Sequence, residues 1–266
     1  MQITHPQAPY NHIPQEDVFI ASDDLGTQVG VGYLIYQYLP HRSPECPVNI
    51  YFDINSLPQG WYLLLGAIVA RARILRERDG AAPARLYTRV DPQNTQMIEQ
   101  YRNSGLSVDQ CESLAQLFLP QGEGRVPMSC TIEPVPLNTR QEQENFLRRL
   151  RDNDITHIDI NYLQYLQRLP HFHAMAMVQN GMLVGEVMIA GTGSTCELVA
   201  IYTAPLYRRQ GMAKVLLQRC MAVMSSEGVT RFGGVFISMS EPQKHLARDF
   251  QAKDTKVQGV FPQLIL

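Results

Sequence analysis

The sequence predicts an α/β fold, more fully an α+β arrangement on a mixed sheet, built as two domains. Three observations predict it. Strand-like and helix-like runs in the second half follow the order β-α-α-β-β-β-loop-α-β-α-β. The first half repeats the back part of that order, and a Gly/Pro-rich stretch, Pro120 to Pro127, separates the two. A length of 266 residues fits two modest domains, and 45% apolar with 18% charged residues is enough to fill their cores.

In the first half, apolar-rich runs at Val18 to Ala21, Val29 to Tyr38 and Val48 to Ile54 read as strands. A helix is expected from about Trp61 to Arg78, a strand from Ala84 to Val90 and a helix from Pro92 to Asn103. The run Arg71, Arg73, Arg76, Arg78 is interrupted by Glu77 and Asp79 and reads as a solvated helix face. Ile50-Tyr51 and Gly60 stand in the same relation as Ile201-Tyr202 and Gly211, at an offset of 151 residues, which points to an internal duplication. The expected division is a first domain over 15–119, a linker over 120–127 and a second domain over 128–266.

In the second half, Ser129 to Pro134 reads as a short strand. Asn138 or Thr139 can cap a helix bearing Phe146, Leu147 and Leu150, and a second helix follows around Ile160 to Arg168. His171 to Val178 and Met182 to Ala190 flank Asn180-Gly181, a strong hairpin signal. Cys196 to Thr203 is a further strand. After a loop bracketed by Pro205 and Gly211, Ala213, Val215, Leu216, Leu217, Cys220 and Met224 lay an apolar face on a helix. A strand at Phe232 to Met239, a helix opened by Pro242 and a strand at Val257 to Leu266 complete the order.

The formal charge of -2 gives no global reason to expect nucleic acid or an anionic membrane as partner. The longest apolar run, Trp61 to Ala70, is about half a membrane span, and the N-terminus lacks the pattern of a signal peptide. Five scattered cysteines without CxxC spacing argue against a disulfide framework and a zinc site, so a cytoplasmic protein is expected. His171 and His173 share a strand face but lack a third ligand of suitable spacing, so no metal is expected. Met175, Met177, Met182 and Met188 read as adaptable core.

The chemistry concentrates between Ala204 and Leu217. A strand-to-helix loop with Gly211 and Ala213 at its end leaves backbone N–H groups open to a phosphate at a helix N-terminus, where the dipole favours negative charge. Small residues let the backbone come close, and Arg208, Arg209 and Lys214 add positive charge.

The pattern Arg208-x-x-Gly211-x-Ala213 stands after the strand Glu197 to Pro205 and before an amphipathic helix. It resembles the acyl-CoA loop of the GCN5-related N-acetyltransferase (GNAT) family. The resemblance implies two tandem GNAT-like domains, the first degenerate, with acetyl-CoA as co-substrate. It implies a cofactor site formed by Ile201, Tyr202, Thr203, Arg208, Arg209, Gln210, Gly211, Met212, Ala213 and Lys214. The backbone of Ile201 and Thr203 would meet the acyl carbonyl and pantetheine arm, and N–H groups of Arg209, Gly211, Ala213 and Lys214 the pyrophosphate. Glu197 takes the place of the general base in the histone-acetylating branch, and Tyr162 and Tyr165 lie where the family places the acceptor. The expected partner is a small-molecule or peptide amine, and the sequence leaves the oligomeric state open.

Two departures from the pattern are visible. The family's helix with an Asn and, seven residues later, an acidic Tyr here offers Phe250 or Gln251 at the Tyr position. In the first half the loop reads Leu57-Pro58-Gln59-Gly60-Trp61-Tyr62 and Cys46 replaces the glutamate, although Asn94 and Tyr101 keep the seven-residue spacing. An N-acetyltransferase is one reading; a catalytically silent acyl-CoA sensor or scaffold is the other.

Overall fold

The computed structural model describes residues 1–41, 43–78, 82–120 and 125–266, so 121–124 of the expected linker lie outside the described residues. Two compact units emerge, one formed by Met1–Cys111 with Gly259–Leu266, the other by Glu112–Gln258. Both borders fall within strands, β6 (Ser107–Leu117) and β12 (Lys253–Ile265).

The first unit contains β1 (Gln2–Thr4), β2 (Val18–Ser22), β3 (Gln28–Tyr38), β4 (Val48–Ser56), α1 (Pro58–Arg78), β5 (Ala84–Tyr87) and α2 (Thr95–Asn103). Its strands run in the order β1-β2-β3-β4-β5-β12, antiparallel except for the parallel pair β4/β5. The end of β12 pairs with β5 through Gln263↔Tyr87, Leu264↔Leu86 and Ile265↔Arg85. Helix α1 starts at Pro58, ahead of the expected Trp61, because proline suits a first turn whose N–H has no helical acceptor. Leu64, Ile68, Ala72 and Leu75 recur at helical spacing and are buried against Ile50, Phe52 and Leu34. The expectation of a solvated basic face holds for Arg73 and Arg78 but not for Arg71. Its guanidinium reaches back to Asp17, Nε to Oδ1 at 2.7 Å, because the Asp17 carboxylate is buried and requires a partner.

The second unit contains β7 (Cys130–Pro134), α3 (Arg140–Asp152), α4 (Ile160–Leu166), β8 (His171–Gln179), β9 (Met182–Thr192), β10 (Thr195–Thr203), α5 (Met212–Ser226), β11 (Arg231–Ile237) and α6 (Glu241–Asp249). Thr139 caps α3 in a full capping box with Glu142. Asn180 and Gly181 both have positive φ, as a tight two-residue hairpin turn demands. The order is β6-β11-β10-β9-β8-β7, antiparallel except for the parallel pair β10/β11. One face is covered by α5, which buries Leu216, Leu217, Cys220 and Met224 with Val187, Ile189 and Phe236. On the other face Phe146, Leu147 and Leu150 of α3 and Leu163 and Leu166 of α4 pack on Met188, Ala190, Ala200 and Tyr202.

Strand β6 is not among the expected elements. It pairs with β11 from Glu112↔Ile237 to Leu117↔Phe232 and buries Ser113, Ala115 and Leu117. The chain beyond it stays attached, with the Phe118 N–H donating to the Phe250 carbonyl at 2.9 Å.

Among the described residues no group of three His, Cys, Asp or Glu side chains is arranged to hold a metal ion, and no helix is long and apolar enough to cross a membrane. His171 and His173 do share one face of β8, and both turn toward Glu227, the residue that ends α5. His173 Nε2 lies 2.8 Å from Glu227 Oε1, and this contact holds the carboxylate below its ordinary pKa. A depressed folded-state pKa contributes stability above the unfolded value, about 4.3, and loses it as pH falls through the lower folded value. Glu227→Gln should therefore lower the melting temperature near neutral pH and match the parent in strong acid. The pair is exposed, so the shift should not exceed about 3 °C. Thermal melts of both proteins across the acid range check it.

Candidate functional site

The site begins where β10 leaves β11. The parallel ladder runs from Thr195↔Arg231 to Leu198↔Gly234 and stops there. On the other side β10 stays paired with β9 to Thr203↔Gly185, with a bulge between Leu198 and Ala200 that places Val199 as the extra residue. The Ala204 N–H donates to the Val184 carbonyl at 2.8 Å. That bond sets the phase of the strand: Ala200, Tyr202 and Ala204 turn their backbone groups to β9, and Ile201 and Thr203 turn theirs to the open side. The Thr203 carbonyl accepts a bond from Arg208 Nε at 3.1 Å.

The loop follows. A short 3₁₀ turn over Pro205–Tyr207 leads to Arg208, then to Arg209 at φ 61° and Gly211 at φ 76°. A Cβ at Gly211 would meet no atom within 4 Å, so the glycine answers the left-handed backbone and not crowding within the protein. The first bond of α5 runs from the Val215 N–H to the Gly211 carbonyl at 3.1 Å, which leaves the N–H groups of Met212, Ala213 and Lys214 without helical acceptors. The buried Met212 side chain anchors this turn in the core below. Gln210 folds back on the Leu206 carbonyl at 3.1 Å, and Lys214 Nζ lies 3.3 Å from Asp249 at the end of α6. Burial pulls the Arg208 guanidinium below its ordinary pKa, with the Asp154 carboxylate acting in the opposite sense.

Glu197 lies in the paired part of β10, opposite Ala190 on one side and Gly233 on the other. Cys196 and Leu198 face the core under α5, so by alternation Glu197 points to the face carrying α3 and α4. Its side chain is exposed, and among the described residues no hydrogen bond or ion pair holds its carboxylate. Tyr162 and Tyr165 stand exposed on α4, their rings stacked at 6.2 Å and 12°. They share the α3/α4 side of the sheet with Glu197. Phe250 is fully buried in the core and Gln251 follows it at φ 47°, so α6 presents no phenol. A groove of about 600 Å³ between β7 and the later turns of α5, lined by Cys130, Ile132, Met175 and Val223, contains none of these residues.

Residues 137–250, most of the second unit, match the acetyltransferase (GNAT) family. Among solved structures the chain is similar to a GCN5-related N-acetyltransferase from Sphaerobacter thermophilus. Identity is 12% and the TM-score 0.50, with 96% of this chain and 82% of that one covered. The chain has a GNAT-like fold. It is also similar to a tandem GNAT protein from the clavulanic acid biosynthesis pathway, at 12% identity and TM-score 0.47, with 93% and 82% covered. A GCN5-related N-acetyltransferase from Kribbella flavida gives 14% identity and TM-score 0.42, with 89% and 87% covered. Comparison with curated proteins returns no match.

Within this GNAT fold the residues named from sequence separate into two groups. Ile201, Thr203 and the run Arg208 to Lys214 gather at the open edge of β10 and the first turn of α5. Tyr202 differs: its side chain is buried, and its phenol donates to the Glu186 carboxylate. Sequence reasoning overlooked that carboxylate. Glu186 is 2% exposed in the middle of β9 and held by Arg149 of α3. A lone acid inside the apolar run Met182 to Ala190 was the available signal, because a buried carboxylate requires a partner.

Proposed function

We propose that the second unit binds acetyl-CoA at the open edge of β10 and the start of α5, and catalyses transfer of its acetyl group to a primary amine in a ternary complex. The observation that carries this reading is the conjunction of an edge of β10 that β11 leaves at Ile201 and Thr203, with the Thr203 carbonyl taken by Arg208, and the N–H groups of Met212, Ala213 and Lys214 that have no helical acceptors. These donors fit a pyrophosphate, and the strand edge fits an amide-bearing arm. Arg208, Arg209 and Lys214 supply charge of the right sign.

Acetyl-CoA supplies an activated thioester when bound. Glu197 accepts a proton from the substrate ammonium, directly or through water, and frees the nitrogen lone pair for attack. Its free, exposed carboxylate suits that role. The Ile201 N–H, on the open side of β10, donates to the acetyl oxygen as negative charge develops there. As the carbon–sulfur bond breaks, the attacking nitrogen sheds its second proton to water and water protonates the departing thiolate, since a thiol is a mild acid and Phe250 cannot donate. The acceptor stands on the side of the sheet carrying Glu197, Tyr162 and Tyr165.

The first unit reads as a degenerate copy of the same fold, in tandem with the second. Its β4 leaves β5 after Tyr51↔Tyr87, as β10 leaves β11. Where β10 is followed by a loop from Ala204 to Gly211, however, β4 reaches its helix through Leu57 alone. Gly60 falls inside the first turn of α1, not in a loop, and a Cβ there would meet Val29 at 3.2 Å. Tyr101 is buried between Trp61 and Phe52, with ring centroids at 4.9 Å and 5.8 Å, and burial pushes its phenol pKa up. Neither the backbone at Gly60 nor the phenol of Tyr101 is therefore placed to serve a cofactor in this unit.

The burial of Phe250 favours a second reading, a silent acyl-CoA sensor or scaffold. The test is the release of CoA thiol from acetyl-CoA in the presence of a panel of primary amines, cationic small molecules and lysine peptides among them. Glu197→Gln should reduce kcat about 10²- to 10⁴-fold with little change in acetyl-CoA affinity. Tight binding without amine-dependent release in the parent protein would leave the sensor reading.

A further inference from the structure

A triad that the proposed chemistry does not use joins the half-buried Arg149 to the buried Glu186 and Tyr202. Arg149 clasps Glu186 with Nε 3.1 Å from both carboxylate oxygens and Nη2 2.6 Å from Oε1, and the Tyr202 hydroxyl donates to the other oxygen. The Arg149 guanidinium also lies 5.8 Å from the centre of the Phe146 ring in the same helix. Tyr202 and Glu186 are direct cross-strand partners, so the residues joined by backbone pairing are joined a second time through their side chains. The position along β10 is significant. Past the bulge at Val199 this strand has lost β11, and Tyr202 lies between the two residues whose backbone groups face the open side.

A strand paired on one edge only is free to twist and lift at its unpaired end. The Glu186 carboxylate, held from below by α3, pulls Tyr202 down and so fixes the height and direction of Ile201 and Thr203. We propose that Arg149, Glu186 and Tyr202 form a positioning unit that holds the open edge of β10 in register for acyl-CoA, with Arg149 carrying that register to helix α3. In this role the three act through the strand and not by their own side-chain contacts with the ligand. The inference rests on the acyl-CoA reading for its consequence, but its structural content, a clamped strand end, stands independently.

The experiment replaces the charged unit by apolar residues of similar volume, R149M/E186L/Y202F, in the full chain. Exchanging a complete ion pair whose carboxylate is buried for well-packed apolar groups is commonly neutral or stabilising, so the variant should melt near or above the parent temperature. Amide hydrogen exchange at Tyr202 and Ala204 should nevertheless quicken about tenfold while β8 amides keep their parental rates. Calorimetry should show acetyl-CoA binding about tenfold weaker. Parental exchange rates and parental affinity in a stably folded variant would overturn the proposal and reduce the triad to a general packing element. Y202F, which removes one hydroxyl and leaves the ion pair intact, decides by the same exchange measurement if the triple variant does not fold. Failure of the parent protein to bind acetyl-CoA would count against the functional reading alone, and the exchange rates would still decide this one.

Discussion

Gly211→Asp should abolish measurable acetyl-CoA binding while leaving the fold intact. Gly211 has φ 76° at the residue before α5, a conformation Asp tolerates better than most residues. Space around its missing Cβ is open, so no core contact is disturbed. The new carboxylate would stand beside the N–H groups of the first turn, where negative charge suits the helix, and the melting temperature should stay within a few degrees of the parent. Those same N–H groups are the ones assigned to the pyrophosphate. A fixed anion among them both occupies the donors and repels the ligand. Losing even two charge-assisted hydrogen bonds corresponds to a factor on the order of 100 to 1,000 in affinity. Calorimetric titration with a parallel melt checks both halves of this expectation, and parental affinity in the variant would remove the loop from the site.

The second large effect concerns the boundary between the halves. A fragment of residues 128–266 should fail to fold, despite containing the whole of α3 to α6. Strand β11 would lose its neighbour β6, with the ladder from Glu112↔Ile237 to Leu117↔Phe232. The core under α5 would lose Ala115 and Leu117, both almost fully buried. Deleting a buried leucine side chain alone typically costs about 3 kcal/mol, a large part of the stability of an ordinary domain, and here a whole strand is removed. A fragment starting at 105 restores β6 and should regain a cooperative transition. Circular dichroism melts of the two fragments check it: a cooperative transition in 128–266 would mean that β6 is dispensable.

Much of the second unit was legible because its signals are local. Asn180-Gly181 specifies its own turn, Thr139 offers a helix cap, and the loop to Gly211 announces a small residue before an amphipathic helix. Strand β6 was not legible. Its buried positions are Ser113, Ala115 and Leu117, and only the last is strongly apolar, so the alternation hardly shows. The equivalence of Gly60 and Gly211 was misleading for another reason. Counting residues from Ile50-Tyr51 assumes loops of equal length, and β4 enters its helix after a single residue. The triad at Glu186 depends on three distant segments, and a sequence can flag the buried acid without naming Arg149 as its partner. The open edge of β10 is likewise a fact of pairing, since it depends on where the β11 ladder ends.

One titration tests the central claim most directly: acetyl-CoA into the intact 266-residue chain, followed by calorimetry. A GNAT-type site at the open edge of β10 and the start of α5 predicts saturable binding to one site per chain with a micromolar dissociation constant. Absence of saturable binding at millimolar acetyl-CoA would contradict it, and would leave the loop and strand edge without that ligand.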